Sequence, residues 1–161
     1  MTTTKIQVEK HLAEYVIGKF GTDFKQPVRF PANSELYISI YDLSQRRPAD
    51  AFSDKGNLEI VLPNRGDSPD FEFRKNPEVY NYLSMRSAHI INRKIEVQFW
   101  AELHELLDYE KHVNGNEYIE SVYYFFRKYR IESITEDCVL KNYYRWREKT
   151  RKKSKRAYKK K

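Results

Sequence analysis

Between Pro77 and Gly115 the chain contains neither glycine nor proline. Proline costs a helix interior about 3 kcal/mol and glycine about 1 kcal/mol, so a stretch free of both can run on as helix. Ile91, Ile95, Phe99, Leu103 and Leu106 recur through it at intervals of three or four, the spacing of one helical face. Asn76 followed by Pro77 supplies an N-cap and a first-turn proline. The pattern predicts helix from there to about His112, with a break at Ser84 or Ser87.

Elsewhere the punctuation is denser. In residues 5–20, Val8, Leu12, Tyr15 and Phe20 lie near one face, with Gly18 and Gly21 marking an end; this predicts a first helix. The segment Pro27–Pro31 is bounded by proline and is at most an edge strand. Ser34 precedes Leu36, Ile40 and Leu43, predicting a second helix over about 34–46. The stretch 44–77 collects prolines and glycines around two alternating runs, Leu58/Ile60/Leu62 and Phe71/Phe73, which predict a β-hairpin near 57–74. Asn114-Gly115-Asn116 is a turn. Residues 117–131 predict a helix, and Thr135 before Glu136 and Asp137 opens another over 136–150. The fold class expected is mainly α with a small β-hairpin (α+β). Residues 1–116 form a helical body, 117–150 a helix pair packed on it, and 151–161 a basic tail. No internal repeat is present.

Twelve of the 30 Lys and Arg residues fall within Lys141–Lys161 beside the single acid Glu148. That leaves 18 bases against 22 acids in residues 1–140, so the net charge of +7 belongs to the C-terminus. Like charges at this density call for a polyanion. Nucleic acid is the natural one, and the acidic body is then a surface for a protein partner. The single Cys138 excludes an intramolecular disulfide. No signal-like or membrane-spanning apolar run is visible, so no membrane is expected and the location expected is cytoplasmic.

Projected at about 100° per residue, Val139, Tyr143 and Trp146 form a core stripe of helix 136–150. Lys141, Asn142, Arg145, Lys149 and Lys152 share a separate arc with Cys138, and Asp137, Tyr144 and Glu148 a third sector, which segregates acid from base. Arg can read guanine and Asn adenine through paired hydrogen bonds, while Lys neutralises phosphate. The nucleic-acid-binding set expected is Lys141, Asn142, Arg145, Lys149, Lys152, Lys153, Lys155 and Arg156.

Two helices, the second basic, are the arrangement of a helix-turn-helix. Residues 117–148 resemble the helix-turn-helix of small bacterial DNA-binding regulators of the phage and mobile-element (Mu) type. Tyr129-Arg130-Ile131 stands where such motifs often read aromatic-Gly-Ile, with Arg130 in the glycine's place and a longer turn through Ile134. The function expected is therefore non-catalytic binding of double-stranded DNA, as a transcriptional regulator or accessory factor. RNA binding in a nucleoprotein assembly is the alternative. A metal-dependent nuclease built on Asp67, Asp70, Glu72 and Glu78 comes third.

His104, Asp108 and His112 recur at every fourth residue, but each step climbs about 6 Å, too far for one ion, so no metal is expected. No glycine loop cradles phosphate, and no cofactor is expected. The cluster Tyr118, Tyr123, Tyr124, Phe125, Phe126 and Tyr129 offers a base-stacking platform. Neighbouring helical residues point apart, however, so most of these rings are expected in the core.

Overall fold

The long helix starts at Met85, behind its cap Ser84, because the residues before it are claimed by another part of the chain. Gln45 and Tyr82 exchange backbone hydrogen bonds of 2.9 and 3.1 Å, an antiparallel bridge that holds the chain extended there. Asn76 caps only a single turn: its carbonyl accepts from Val79 and Tyr80, and its side chain from the Glu78 amide. Ser84 Oγ then accepts from the Ser87 amide at 3.1 Å and opens the true helix. The helix expected from Pro77 is thus shortened to Met85–His112, by a pairing partner far away in sequence that periodicity does not register.

The computed structural model describes residues 1–51, 55–70 and 72–158, the last three by backbone alone. In chain order the elements are β1 (Thr3–Ile6), α1 (Lys10–Phe20), α2 (Glu35–Leu43), β2 (Leu58–Val61), α3 (Met85–His112), α4 (Tyr118–Tyr129) and α5 (Glu136–Tyr158). The fold class is mainly helical with one two-stranded antiparallel sheet. Among the described residues no helix is long and apolar enough to cross a membrane.

β2 is the strand expected, but its partner is β1, in the register Thr3↔Val61 to Ile6↔Leu58. Of the second run, Phe71 lies outside the described residues and Glu72–Arg74 form no strand. Instead Phe73 is buried against Tyr37 and Tyr41. Asn57 prolongs the sheet with a side chain: its amide accepts from the Val8 N–H at 3.0 Å and donates to the Val8 carbonyl at 2.9 Å. This ladder draws residues 3–8 out of the helix expected over 5–20, and α1 starts only at Lys10. Val28, within the proline-bounded run, pairs with the other side of β2 through Glu59 and Val61.

α2 is capped at both ends. Ser34 Oγ accepts from the Tyr37 amide, and Lys75 Nζ donates to the carbonyls of Tyr41, Asp42 and Ser44 at 2.8, 2.9 and 3.1 Å. A cation there meets the negative end of the helix dipole.

One contiguous apolar cluster runs from Ile6 to Tyr143. Its spine is the α3 stripe Ile91, Ile95, Phe99, Leu103 and Leu107, all fully buried; Leu107, not the half-buried Leu106, ends the stripe. Tyr15 meets Phe99 and Tyr129 edge-on at 5.3 and 5.2 Å. Glu102 of α3 accepts hydrogen bonds from Tyr15 and Lys19 of α1 and from Tyr129 of α4. Burial alone would raise the Glu102 carboxyl, but the donors from Lys19, Tyr129 and Tyr15 outweigh it and hold it below the usual range. Both phenols are pushed up, first by burial and then by this carboxylate.

Candidate nucleic-acid interface

The turn between α4 and α5 rests on a residue in glycine's conformation. Arg130 has φ of 53° and ψ of 49°, and the Ile131 amide reaches back to the Phe126 carbonyl at 2.9 Å, a left-handed helix stop. The guanidinium of Arg130 lies 3.8 Å over the Phe24 ring. Beyond it the Glu14 carboxylate accepts from the amides of Glu132 and Ser133 at 3.0 and 3.1 Å and from the Ser133 hydroxyl at 2.6 Å, fastening the turn to α1. Thr135 Oγ1 then accepts from the Cys138 amide and caps α5.

α5 runs past the expected end at Thr150 to Tyr158, so most of the tail is helix. The i, i+4 pair Glu148–Lys152, at 2.9 Å, bridges the junction, and no glycine or proline interrupts the tail.

Three side chains spaced by four on α3 fix how α5 sits. His104 hydrogen-bonds through Nε2 to Asn142 Oδ1 at 2.8 Å. Asp108 accepts from the Tyr143 hydroxyl. His112 Nε2 lies 3.3 Å from Arg147, which also donates to the Tyr118 hydroxyl at 2.7 Å. The row that resembled spaced metal ligands is therefore one half of a polar ladder between two helices. Asn142, Tyr143 and Arg147 form the other half, and nothing in α3 read by itself points to them. Burial lowers the basicity of His104, partly offset by the Asn142 hydrogen bond and the Asp108 charge.

The structure corrects the helical projection in three places. Val139 and Tyr143 are fully buried, but Trp146 is 36% exposed and stacks on His104 with ring centroids 4.6 Å apart. Asn142, expected among the free reading residues, is half-buried and committed to His104. Acids and bases are not segregated: Asp137 pairs with Lys141 at 2.8 Å and Glu148 with Lys152 at 2.9 Å. Four residues advance the wheel by about 400°, only about 40° past a full turn, so the sectors touch.

Lys141, Arg145, Lys149, Lys152, Lys153 and Lys155 are exposed; the side chain of Arg156 lies outside the described residues. Every residue from Glu148 to Lys155 faces solvent. No described acid lies within salt-bridge reach of Arg145, Lys149, Arg151, Lys153 or Lys155.

The other candidate sets are dispersed. Asp67 accepts from Tyr37 and the Asn64 amide, and Glu72 pairs with Arg74 at 3.1 Å. Among the described residues no group of three or more His, Cys, Asp or Glu could hold a metal ion. Of the aromatic cluster, Phe125, Phe126 and Tyr129 are core and Tyr118 is half-buried, leaving Tyr123 and Tyr124 exposed.

No protein-family model, curated protein or solved structure matches the chain.

Proposed function

We propose that the chain is a non-catalytic DNA-binding protein, a transcriptional regulator or accessory factor that lays α5 on duplex DNA. The observation that carries this reading is the continuous exposed helix from Glu148 to Lys155, on which Lys149, Arg151, Lys153 and Lys155 have no described acidic partner and Lys152 alone is paired, with Glu148. The helical backbone matters, because cations ordered on a helix lose less freedom on meeting phosphate than cations on a loose tail. Lys149, Lys152, Lys153 and Lys155 suit phosphate, and Arg145, exposed and unpaired, is the base-reading candidate that remains.

The commitment of Asn142 to His104 favours a second reading, in which α5 anchors on charge alone within an RNA-containing assembly. The deciding experiment titrates salt against affinity for duplex DNA and for RNA, with the full chain and a chain ending at Thr150. Ending there removes eight Lys and Arg residues. On duplex DNA the slope of log affinity against log salt should become shallower by about 0.9 for each phosphate that the shortened chain no longer neutralises. An unchanged slope overturns the role of the outer turns. Arg145→Ala should also flatten the sequence preference selected from a random duplex pool, whereas Lys152→Ala should weaken all sequences alike. Equal effects of the two substitutions, or tighter RNA binding, would put the assembly reading first.

A further inference from the structure

The two tryptophans of the chain, Trp100 and Trp146, both pack on His104, with ring centroids 5.8 and 4.6 Å from it, Trp100 tilted and Trp146 stacked. The three rings line a cleft of about 550 Å³ between α3 and α5, together with Asn142, Arg145 and Lys149. This is within the size range of small-ligand pockets, about 300–1,000 Å³. The acid in the cleft wall, Glu96, is paired with Arg93 at 2.6 Å. Arg145 and Lys149 in its lining have no described acidic partner.

From this arrangement we infer that the α3–α5 cleft binds the nucleobase of an unpaired nucleotide, which stacks on the indole rings while Lys149 holds a flanking phosphate. The inference rests on the reading of α5 as a nucleic-acid-binding helix and names the structure in the nucleic acid that it prefers. Three features favour such a ligand. Indole faces attract any base and are indifferent to sequence. The cleft lining carries Arg93, Arg145 and Lys149 against the acid Glu96, whereas the larger cleft that shares Trp146, about 910 Å³, sets Glu105 and Asp108 against Arg147 and Arg151 and has no such excess of positive charge. Finally, Asn142 Oδ1 is occupied by His104, leaving the amide N–H groups as what Asn142 can offer. The bond orients the amide, and its N–H donors suit a carbonyl-bearing base such as thymine or guanine.

The tryptophan content makes the test direct, because both tryptophans line this cleft and Trp100 does not line the larger one. The full chain is titrated with a perfect duplex, the same duplex with one extra unpaired thymine, the same duplex with a single-stranded thymine tail, and the bulged duplex with an abasic site in place of the thymine. Affinity is read by anisotropy and stacking by tryptophan quenching. Binding about tenfold tighter to the bulge or the tail than to the perfect duplex is expected from a single stacked base, with quenching that the abasic probe does not reproduce. Comparing bulge with tail shows whether an interior or a terminal unpaired nucleotide is the source.

Asn142→Ser keeps a hydroxyl acceptor without adding charge and removes the amide donors, so the ratio of bulged to perfect affinity should fall toward one. Equal binding of perfect and bulged duplexes with unchanged emission overturns the inference and leaves the α5 reading standing. Quenching by the abasic probe equal to that by thymine also overturns it. Failure of every probe to bind overturns both.

Discussion

His104 of α3 donates through Nε2 to Oδ1 of Asn142 on α5 at 2.8 Å, and this bond turns the residue expected to read bases into one that docks a helix. It needs a proton on Nε2, which the Nε2–H tautomer and the imidazolium both carry, so the bond itself favours the charged ring. Burial outweighs it and favours the neutral ring, lowering the His104 pKa from its ordinary 6.5, and His11, packed on Phe99, shifts the same way through its burial. The unfolded chain therefore takes up protons at higher pH than the folded one. Stability from these residues is fully present above pH 6.5 and declines as pH falls from there toward the folded values. The melting temperature should drop between about pH 7.5 and 5.5, and less steeply in His104→Gln, which retains a donor for Asn142 and does not titrate. Identical slopes in variant and wild type would show that His104 does not drive the dependence.

Glu102 acts in a lower window. Its depressed carboxyl contributes stability above the unfolded value of 4.5 that is lost as pH falls through the folded one. Replacing it with alanine leaves the Tyr15 and Tyr129 hydroxyls and the Lys19 ammonium without their shared acceptor. The expected cost is about 3 kcal/mol by urea denaturation. A loss below about half a kcal/mol would mean that water replaces the carboxylate freely.

Gly18 is needed for a close approach. A Cβ there would lie 2.4 Å from the Tyr129 carbonyl oxygen and 2.7 Å from its Cα, backbone atoms that cannot swing aside. Alanine gains about 1 kcal/mol of helix propensity, but forcing the helices apart costs about 1–3 kcal/mol. Gly18→Ala should be net destabilising in thermal melts; a raised melting temperature would contradict the packing of α1 on α4.

Tyr143 and Trp146, adjacent on the same projected stripe, should respond unequally. Tyr143 is fully buried and bonded to Asp108, so Tyr143→Ala should cost about 3–5 kcal/mol, as for a large buried aromatic. Trp146, 36% exposed, should cost less than half as much. Chemical denaturation of the two variants compares them directly, and equal losses would place Trp146 in the core.

What was legible in the sequence was local. Apolar spacing along α3, the serine cap of α2, the Asn114–Asn116 turn and the acids opening α5 all act within a few residues, so the helices could be recognised one at a time. The concentration of charge at the C-terminus, and with it the expectation of a polyanionic partner, is likewise a property of composition that folding does not change. Tertiary structure decided whatever depends on two distant segments meeting. β1 pairs with β2 across a long stretch of intervening chain, and Gln45 holds Tyr82 extended and so moves the start of α3. A helical wheel orders side chains around an axis but says nothing of what lies opposite each one, so the partners of Asn142 and Trp146 could not be read from α5. They were set when the His104–Asp108–His112 face of α3 came to lie against it and supplied partners for Asn142, Tyr143 and Arg147.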